Sequence, residues 1–328
     1  MYKINSFEFY RYEDIIKKED DAGYDKTAFE KMLEIKGDSD HTKLIDMLTD
    51  LNDYSIGIED VLKEHFDEEN IVYWMAFQIL MGNVDTQNRN VYLYSPLNSD
   101  IWYFIAWDND GCLMRPEYEL RNFSDQNSWE KGISNYWGNI LFQRCLKSRS
   151  FREKLNDAIL DLREYLNKDM LTSKIESYKN VLKPYLYLMP DAEYEPLTSE
   201  QYDQIAASLP DEIEKNYQLY LESLETPMPF YIGVPTIDGD KLKFNWDVSY
   251  DLDAEDITYF VEVARDYLFR DVIYQNTTLT VPEAEMDLPK AGQYFVRVRA
   301  TNTSGKTQDA FDYYVTCLLY TSPSPRDA

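Results

Sequence analysis

One stretch of the chain, residues 71–81, is apolar on almost every face of a helix. A helix of this kind is buried at the centre of a domain, because it has no face suited to water. Asp67 and the acidic residues after it suit a helix N-terminus through capping and the helix dipole. Gly82-Asn83 is a typical helix end. The sequence therefore predicts a buried central helix, with Asp85 on the loop that follows it.

Two short runs after this helix predict a β-hairpin. Val91–Tyr94 and Ile101–Ala106 are rich in β-branched and aromatic residues. The six residues between them, 95–100, include Ser, Pro, Asn and Asp, which favour a turn. We expect Trp102, Tyr103, Phe104 and Trp107 to form hairpin core rather than a surface for a nucleotide base.

Four polar side chains flank the predicted hairpin: Asp85 and Asn90 before it, and Asp108 and Asp110 after it. Asp-x₄-Asn is the spacing of a kinase catalytic loop, in which the Asp accepts the substrate hydroxyl proton and the Asn binds a metal. Carboxylate and amide oxygens suit Mg²⁺ or Mn²⁺. The spacing alone occurs by chance in many proteins. The order of helix, loop, hairpin and Trp-Asp-x-Asp exit is much more specific.

These segments resemble the CotH family, the spore-coat-protein-H-like atypical protein kinases. The similarity runs from about residue 5 to residue 230, and three motifs carry it: Gly82-Asn83-Val84-Asp85, Asn90-Val91-Tyr92-Leu93-Tyr94 and Trp102-Tyr103-Phe104-Ile105-Ala106-Trp107-Asp108-Asn109-Asp110. The resemblance implies transfer of the ATP γ-phosphate to Ser or Thr of a protein substrate. A coat or surface protein would be such a substrate, in a bacterial cell surface, extracellular or spore-coat setting.

The resemblance also implies a role for each polar residue near the hairpin. Asp85 matches the catalytic Asp. Asn90 and Asp108 match the residues that hold the metal and, through it, the nucleotide. Asp110 is a candidate for a second metal-binding carboxylate. The implied cofactors are ATP and Mg²⁺ or Mn²⁺.

The charge balance excludes some classes of partner. Lys plus Arg number 33 and Asp plus Glu number 60, so the formal charge is −27. Such a balance argues against nucleic acid and against anionic membranes. No run reaches the roughly 18 to 20 apolar residues of a membrane span, and the N-terminus has no signal-peptide pattern. Three Cys and two His, without a CxxC pair, argue against structural zinc.

The segment before residue 71 lacks a feature that a kinase needs. We find no glycine-rich loop and no Lys in a strand context, although a kinase holds the ATP phosphates with such a cation. Either the N-terminal nucleotide-clamping part is missing from this chain, or the protein is a pseudokinase. We favour the first explanation, in which the chain is a fragment that can be inactive alone.

Other segments of the first 226 residues are expected to be mainly helical. The pattern predicts a long surface loop over 112–138 and helices over Phe29–Ile35, Thr42–Leu51, 151–166, 172–189, 198–208 and 210–225.

After Thr226 the pattern changes from helical to strand. Alternating residues over 241–248, 257–264 and 292–302 predict a β-sandwich. Residues 228–316 resemble a fibronectin type III domain, with Trp246 as its core Trp and Tyr294 after Leu288-Pro289 as its tyrosine corner. This part is expected to be an extracellular spacer or adhesion module.

The last residues match a different source. Cys317-Leu-Leu-Tyr-Thr-Ser-Pro-Ser-Pro-Arg-Asp327 equals the in-frame translation of a transposase-type sequencing adapter. We expect residues 317–328 to be an artefact of metagenomic assembly, in which Cys317 has no function.

The prediction is an α+β chain with three parts: 1–226, a mainly helical atypical-kinase-like lobe with a β-hairpin active-site segment; 227–316, an all-β immunoglobulin/fibronectin-III-like sandwich; and 317–328, the adapter-like tail. The predicted function is that of a CotH-type protein kinase. The alternative is a non-catalytic cell-surface or spore-coat interaction protein. A weaker third hypothesis is a carbohydrate-processing enzyme with Asp85 and Asp108 flanking a sugar groove.

Overall fold

A computed structural model describes residues 1–121 and 127–319. These residues form two compact units: one runs to residue 220, and the other contains 127–130 and continues from 221. Helices dominate the described part of the first unit, and antiparallel sheets make up most of the second. The expectation of a mixed chain, helical first and β-rich afterwards, is confirmed at this level.

The first unit combines a small sheet with helices. Its sheet is antiparallel, in the order β2-β1-β3-β4, with β1 (Tyr2–Ile4), β2 (Leu33–Ile35), β3 (Val91–Tyr94) and β4 (Tyr103–Ala106). Its helices in the described ranges are α1 (Lys26–Met32), α2 (Thr42–Asn52), α3 (Ile58–His65), α4 (Glu68–Met81), α5 (Arg115–Leu120), α6 (Ile140–Lys147), α7 (Arg149–Tyr165), α8 (Lys168–Leu186), α9 (Ser199–Ser208) and α10 (Glu212–Glu225), within which the division between units falls.

Helix α4 is the buried central helix that the sequence predicts. The Asp67 carboxylate caps it by accepting the Asn70 N–H at 2.9 Å. Gly82 ends it in the left-handed conformation, with φ of +61°. Most of its side chains are buried, and it packs against α7 and β4. The chain after Gly82 therefore emerges from the centre of the unit.

The predicted hairpin is also confirmed. β3 and β4 pair antiparallel, with Val91 opposite Ala106 and Tyr94 opposite Tyr103. Trp102 and Phe104 are buried, as expected of hairpin core. Trp107 is not: it lies beyond the last paired residue, is 45% exposed, and meets the Tyr92 ring edge-on. Trp107 was predicted as core because its ring is apolar, but β4 ends at Ala106, one residue before it.

Two further predictions about the first unit are wrong. The helix expected over Phe29–Ile35 ends at Met32, and Leu33–Ile35 form β2. Pairing of β2 with β1 supplies backbone hydrogen bonds that override the local helical pattern. The surface loop expected over 112–138 contains α5, and Ile133, Tyr136 and Trp137 are buried. The segment was predicted as a surface loop because most of its residues are polar, and its few buried apolar residues do not form a regular pattern.

A buried histidine lies beside the first strand. His41 is 1% exposed, its ring stacks on Phe29 with centroids 4.3 Å apart, and the Tyr2 hydroxyl lies 2.8 Å from its Nδ1. Burial lowers the pKa of His41 below its usual 6.5, since desolvation disfavours the charged ring.

This lowered pKa predicts a pH effect on stability. A folded-state pKa below the unfolded one means that the unfolded chain binds more protons, so His41 stabilises the fold above about pH 6.5 and loses that contribution as the pH falls. We expect His41→Gln to lose less unfolding free energy than wild type between pH 7 and pH 5, measured by urea denaturation. Equal losses in both proteins would contradict this assignment.

The second unit contains two antiparallel sheets around one apolar cluster. One has the order β5-β6-β9; the other has the order β11-β10-β7-β8, with β12 also paired to β10. Its strands are β5 (Thr236–Asp238), β6 (Lys241–Asn245), β7 (Ile257–Ala264), β8 (Val272–Leu279), β9 (Glu283–Asp287), β10 (Gly292–Asn302), β11 (Thr307–Asp309) and β12 (Val315–Leu319). The cluster takes side chains from both sheets and includes Trp246 and Tyr294. The Tyr294 hydroxyl donates to the Lys290 carbonyl at 2.8 Å.

The adapter-like tail is partly described. Residues 317–319 form the end of β12, and Cys317 is buried opposite Tyr294. Residues 320–328 lie outside the described part of the chain. Among the described residues, no helix is both long and apolar enough to cross a membrane.

Candidate active site

Asp85 lies on a single 3₁₀ turn, Val84–Thr86, directly after α4. Its side chain is 43% exposed, and its Oδ1 accepts a charged hydrogen bond from Arg89 Nη2 at 2.6 Å. A carboxylate at the exit of a buried helix combines a fixed backbone with access to solvent. Asp85 is therefore positioned to meet an external group.

Asn90 and Asp108 lie at the same end of the hairpin. Asn90 immediately precedes β3, and Asp108 follows β4 by two residues, while Val91 is opposite Ala106. Both residues adopt left-handed backbone conformations, with φ of +59° for Asn90 and +57° for Asp108. Such conformations are uncommon outside glycine and often occur at functional sites, where surrounding contacts maintain them.

The loop after the hairpin also approaches Asp85. Asp110 is exposed in the 3₁₀ turn Asn109–Gly111. A Cβ placed on Gly111 would lie 3.9 Å from Asp85 Oδ2 and 2.9 Å from Asn83 Oδ1, which is too close for a side chain without movement. The glycine therefore allows this turn to pack closely beside the Asp85 loop.

Segment 134–139, within the predicted surface loop and just beyond it, holds the Asp85 loop in place. Asn135 Nδ2 donates to the Val84 carbonyl at 3.1 Å, and Asn139 Nδ2 donates to the Gln87 carbonyl at 2.8 Å. The buried Tyr136 hydroxyl lies 3.0 Å from Thr86 Oγ1. These bonds fix the loop backbone on both sides of Asp85.

The other side of the loop is bound to the N-terminal segment. Asn88 Nδ2 donates to Glu8 Oε1 at 2.6 Å, and the Asn88 carbonyl accepts the Phe7 N–H at 2.9 Å. The Asn90 N–H donates to the Ile4 carbonyl at 3.2 Å. Asn88 is thus a structural residue of the loop.

A cluster of three side-chain amides was missed by sequence reasoning. Gln78, Asn83 and Asn109 are joined by hydrogen bonds between α4, its C-terminal loop and the turn after the hairpin. We call this group the amide cluster. A signal for it existed, because Gln78 is an uncharged polar residue in the otherwise apolar stretch 71–81.

Cys112, next to this turn, does not supply a thiolate at neutral pH. Burial, opposed by a hydrogen bond with Asn83 and assisted by the nearby Asp110 carboxylate, raises the pKa of the Cys112 thiol to about 12. The reactive form of a cysteine is the thiolate. The chemistry available here is therefore that of the carboxylates and amides.

The acidic residues do not form a ready-made cage for a metal. Across the described ranges, no group of three or more His, Cys, Asp and Glu side chains is arranged to hold a metal ion. Mg²⁺ commonly binds to one or two carboxylates and completes its shell with water and substrate phosphates. Asp108 and Asp110 are exposed oxygen donors, and Asn90 adds an amide oxygen at the same hairpin end. This donor set fits a metal that arrives with a nucleotide.

A comparison with known protein families gives a match whose bounds agree with those of the first unit. A family model described as CotH kinase protein matches residues 1–220. No curated protein matches the chain significantly. The match covers Asp85, Asn90, Asp108 and Asp110 and ends where the first unit ends.

Proposed function

This chain belongs to the CotH kinase protein family, and we propose that it is an atypical protein kinase that transfers the ATP γ-phosphate to Ser or Thr of a protein. The observation that carries the proposal is the position of four oxygen-donor residues. The hairpin register places Asn90 and Asp108 at one end, and the close approach of Gly111 places the same loop beside Asp85.

In this proposal, Asp85 orients the acceptor hydroxyl and accepts its proton. Its carboxylate is accessible, and its loop backbone is held by Asn135 and Asn139. Arg89 lies on the same loop and neutralises part of the Asp85 charge. Half-exposed ion pairs of this kind are weak, so an incoming hydroxyl can compete with Arg89 for the carboxylate.

Asn90 and Asp108 would hold the divalent cation, and Asp110 would assist them. A bound Mg²⁺ or Mn²⁺ would neutralise charge on the ATP phosphates. The chain's formal charge of −27 makes such neutralisation necessary if an anionic nucleotide is to bind near these carboxylates. We expect the nucleotide to bind only with the cation for this reason.

We propose that the second unit is a fibronectin type III-like sandwich that acts as a spacer or adhesion module. The three-stranded and larger antiparallel sheets, the buried Trp246 and the Tyr294 hydrogen bond to Lys290 support this assignment. Such a module suits a protein at the cell surface or spore coat. A coat or surface protein would then be the phosphate acceptor.

Metal-dependent ATP binding tests the proposal. With the full-length gene product, we expect calorimetry to detect ATP binding in Mn²⁺ or Mg²⁺ and none in EDTA. Asp108→Ala should weaken this binding by roughly tenfold or more, since loss of even an outer contact to a metal ligand typically costs that much. Asp157→Ala, which removes an exposed carboxylate on α7, is the matched control and should leave it unchanged. Absence of ATP binding would favour the non-catalytic interaction protein instead.

A further inference from the structure

The amide cluster is a closed set of hydrogen bonds. Gln78 Nε2 donates to Asn109 Oδ1 at 3.2 Å. Asn83 Nδ2 donates to Gln78 Oε1 at 3.0 Å and to Asn109 Oδ1 at 3.3 Å. Gln78 is 0% exposed and Asn83 is 2% exposed. Each amide thus bonds to both of the others.

The amide cluster connects the loop that contains Asp85 to the turn that contains Asp108 and Asp110. Asn83 lies two residues before Asp85, and Asn109 lies between Asp108 and Asp110. Gln78 lies on α4, the most deeply buried helix of the site, and contacts both partners. The amide cluster therefore sets the position of the Asp108–Asp110 turn relative to Asp85. In the proposed mechanism its three side chains contact neither ATP nor the substrate hydroxyl.

Several contacts hold this turn against the end of α4. Asp108 is left-handed, with φ of +57°, a conformation that costs free energy for most non-glycine residues and less for Asp and Asn. Besides the amide cluster, the Leu113 N–H donates to the Met81 carbonyl at 2.8 Å. Gly111 packs so closely on Asn83 Oδ1 that a Cβ would lie 2.9 Å away. The turn is thus bound to the end of α4 on both sides of Asp110.

Stability alone does not account for a buried amide at position 78. The neighbouring side chains on α4 are apolar, and a side chain of similar length such as Met would fill the same volume without polar atoms to satisfy. Asn83 Oδ1 is buried, and no donor among the described atoms forms a hydrogen bond to it. Buried polar networks of this kind can specify one arrangement of neighbouring segments.

We propose that the amide cluster positions Asp108 and Asp110 against Asp85 for binding of the metal–ATP complex, with Gln78 and Asn109 as positioning residues. This inference rests on the proposed kinase function. It predicts that breaking the cluster weakens metal–ATP binding even where every proposed ligand remains in the chain. Loss of outer contacts to metal ligands typically costs ten- to a hundredfold in affinity or activity.

The test uses Gln78→Met, Asn109→Ala and the double variant of the full-length gene product. Calorimetry gives the dissociation constant of Mn²⁺–ATP, and thermal unfolding gives the stability of each protein. We expect each single variant to weaken binding by roughly tenfold or more. The double variant should lose less affinity than the sum of the two single losses, because the Gln78–Asn109 hydrogen bond is lost in both single variants.

The matched control is Gln308→Met. Gln308 is a buried glutamine of the second unit, 1% exposed, whose Nε2 donates to Ser128 Oγ at 2.8 Å and to the Asp309 carbonyl at 3.1 Å. We expect its Mn²⁺–ATP affinity to equal that of wild type. If Gln78→Met does not fold, Asn109→Ala tests the inference by itself, because it breaks two of the cluster's three hydrogen bonds from an exposed turn.

Several outcomes would overturn the inference. Unchanged Mn²⁺–ATP affinity in Asn109→Ala and Gln78→Met, with or without a lower unfolding temperature, would make the cluster merely structural. Additive losses in the double variant would show that the two residues act separately. If wild type binds Mn²⁺–ATP but transfers no phosphate, the kinase proposal fails while the affinities still decide the positioning claim. If wild type does not bind Mn²⁺–ATP at all, both are overturned.

Discussion

Asp85→Asn is expected to reduce the rate of phosphoryl transfer by roughly 10²- to 10⁴-fold, the usual contribution of a positioned general base. Asn has nearly the same size and can still form hydrogen bonds, but its amide oxygen does not take the hydroxyl proton. The loop should keep its shape, because the bonds that hold it use the Val84 and Gln87 carbonyls rather than the Asp85 side chain. Mn²⁺–ATP affinity should therefore change little.

The measurement is a steady-state comparison of turnover with calorimetry on the same preparations. Asp157→Asn removes an exposed carboxylate on α7 and should retain wild-type turnover. A loss of turnover in Asp85→Asn that is matched by an equal loss of nucleotide affinity would argue for a binding role. Full turnover in Asp85→Asn would remove it from the mechanism.

The largest expected effect on stability comes from a buried ion pair next to the end of α4. Glu212 is 1% exposed, and its Oε2 accepts a hydrogen bond from Arg115 Nη1 at 3.0 Å. Arg115 Nη2 also donates to Asn216 Oδ1 at 2.8 Å, and Asn216 Nδ2 donates to the Leu80 carbonyl at 2.9 Å. Among the residues that the structure describes, Arg115→Met leaves the buried Glu212 with Lys215 as its only charged partner. We expect a loss of about 3 kcal/mol in unfolding free energy of the first unit.

Amide hydrogen exchange of α4 under increasing urea measures this loss in the first unit separately from the second. The matched control is Arg149→Met, because Arg149 forms an ion pair with Glu153 on the same helix turn and its side chain is 86% exposed. That pair should contribute no more than about 0.5 kcal/mol. Similar losses in the two variants would contradict the importance given to the buried pair.

The parts of the fold that sequence reasoning predicted well are those with strong local signals. Helix α4 combines an apolar run with Asp67 before it and Gly82 after it, and the structure has all three features. The β3–β4 hairpin combines β-rich runs with a turn-forming segment. In both elements the local pattern and the final burial agree, so no distant contact was needed to predict them.

The errors occur where distant contacts decide the structure. Leu33–Ile35 pair with β1, which lies about thirty residues earlier in the chain. Tyr136 is buried where its ring contacts Trp74 and its hydroxyl lies 3.0 Å from Thr86 Oγ1. A local pattern contains neither partner. Predicting these segments required the tertiary neighbours, which a single sequence does not give.

The sequence suggests the residues of the candidate site but not the contacts that hold them. Asp85, Asn90 and Asp108 stand out through their spacing around the hairpin. The amide cluster depends on a contact between Gln78 and Asn109, separated by 31 positions, so its geometry could not be derived. The polar Gln78 within an apolar helix was the one local sign that a buried hydrogen-bond partner should exist.

The most direct test of the account is transfer of labelled γ-phosphate by the full-length gene product. Wild type and Asp108→Ala would be incubated with labelled ATP, Mg²⁺ or Mn²⁺ and a broad set of protein acceptors. The account predicts label on Ser or Thr with wild type and its loss in Asp108→Ala. No label with folded wild type that binds metal–ATP, or equal label with the variant, would contradict it.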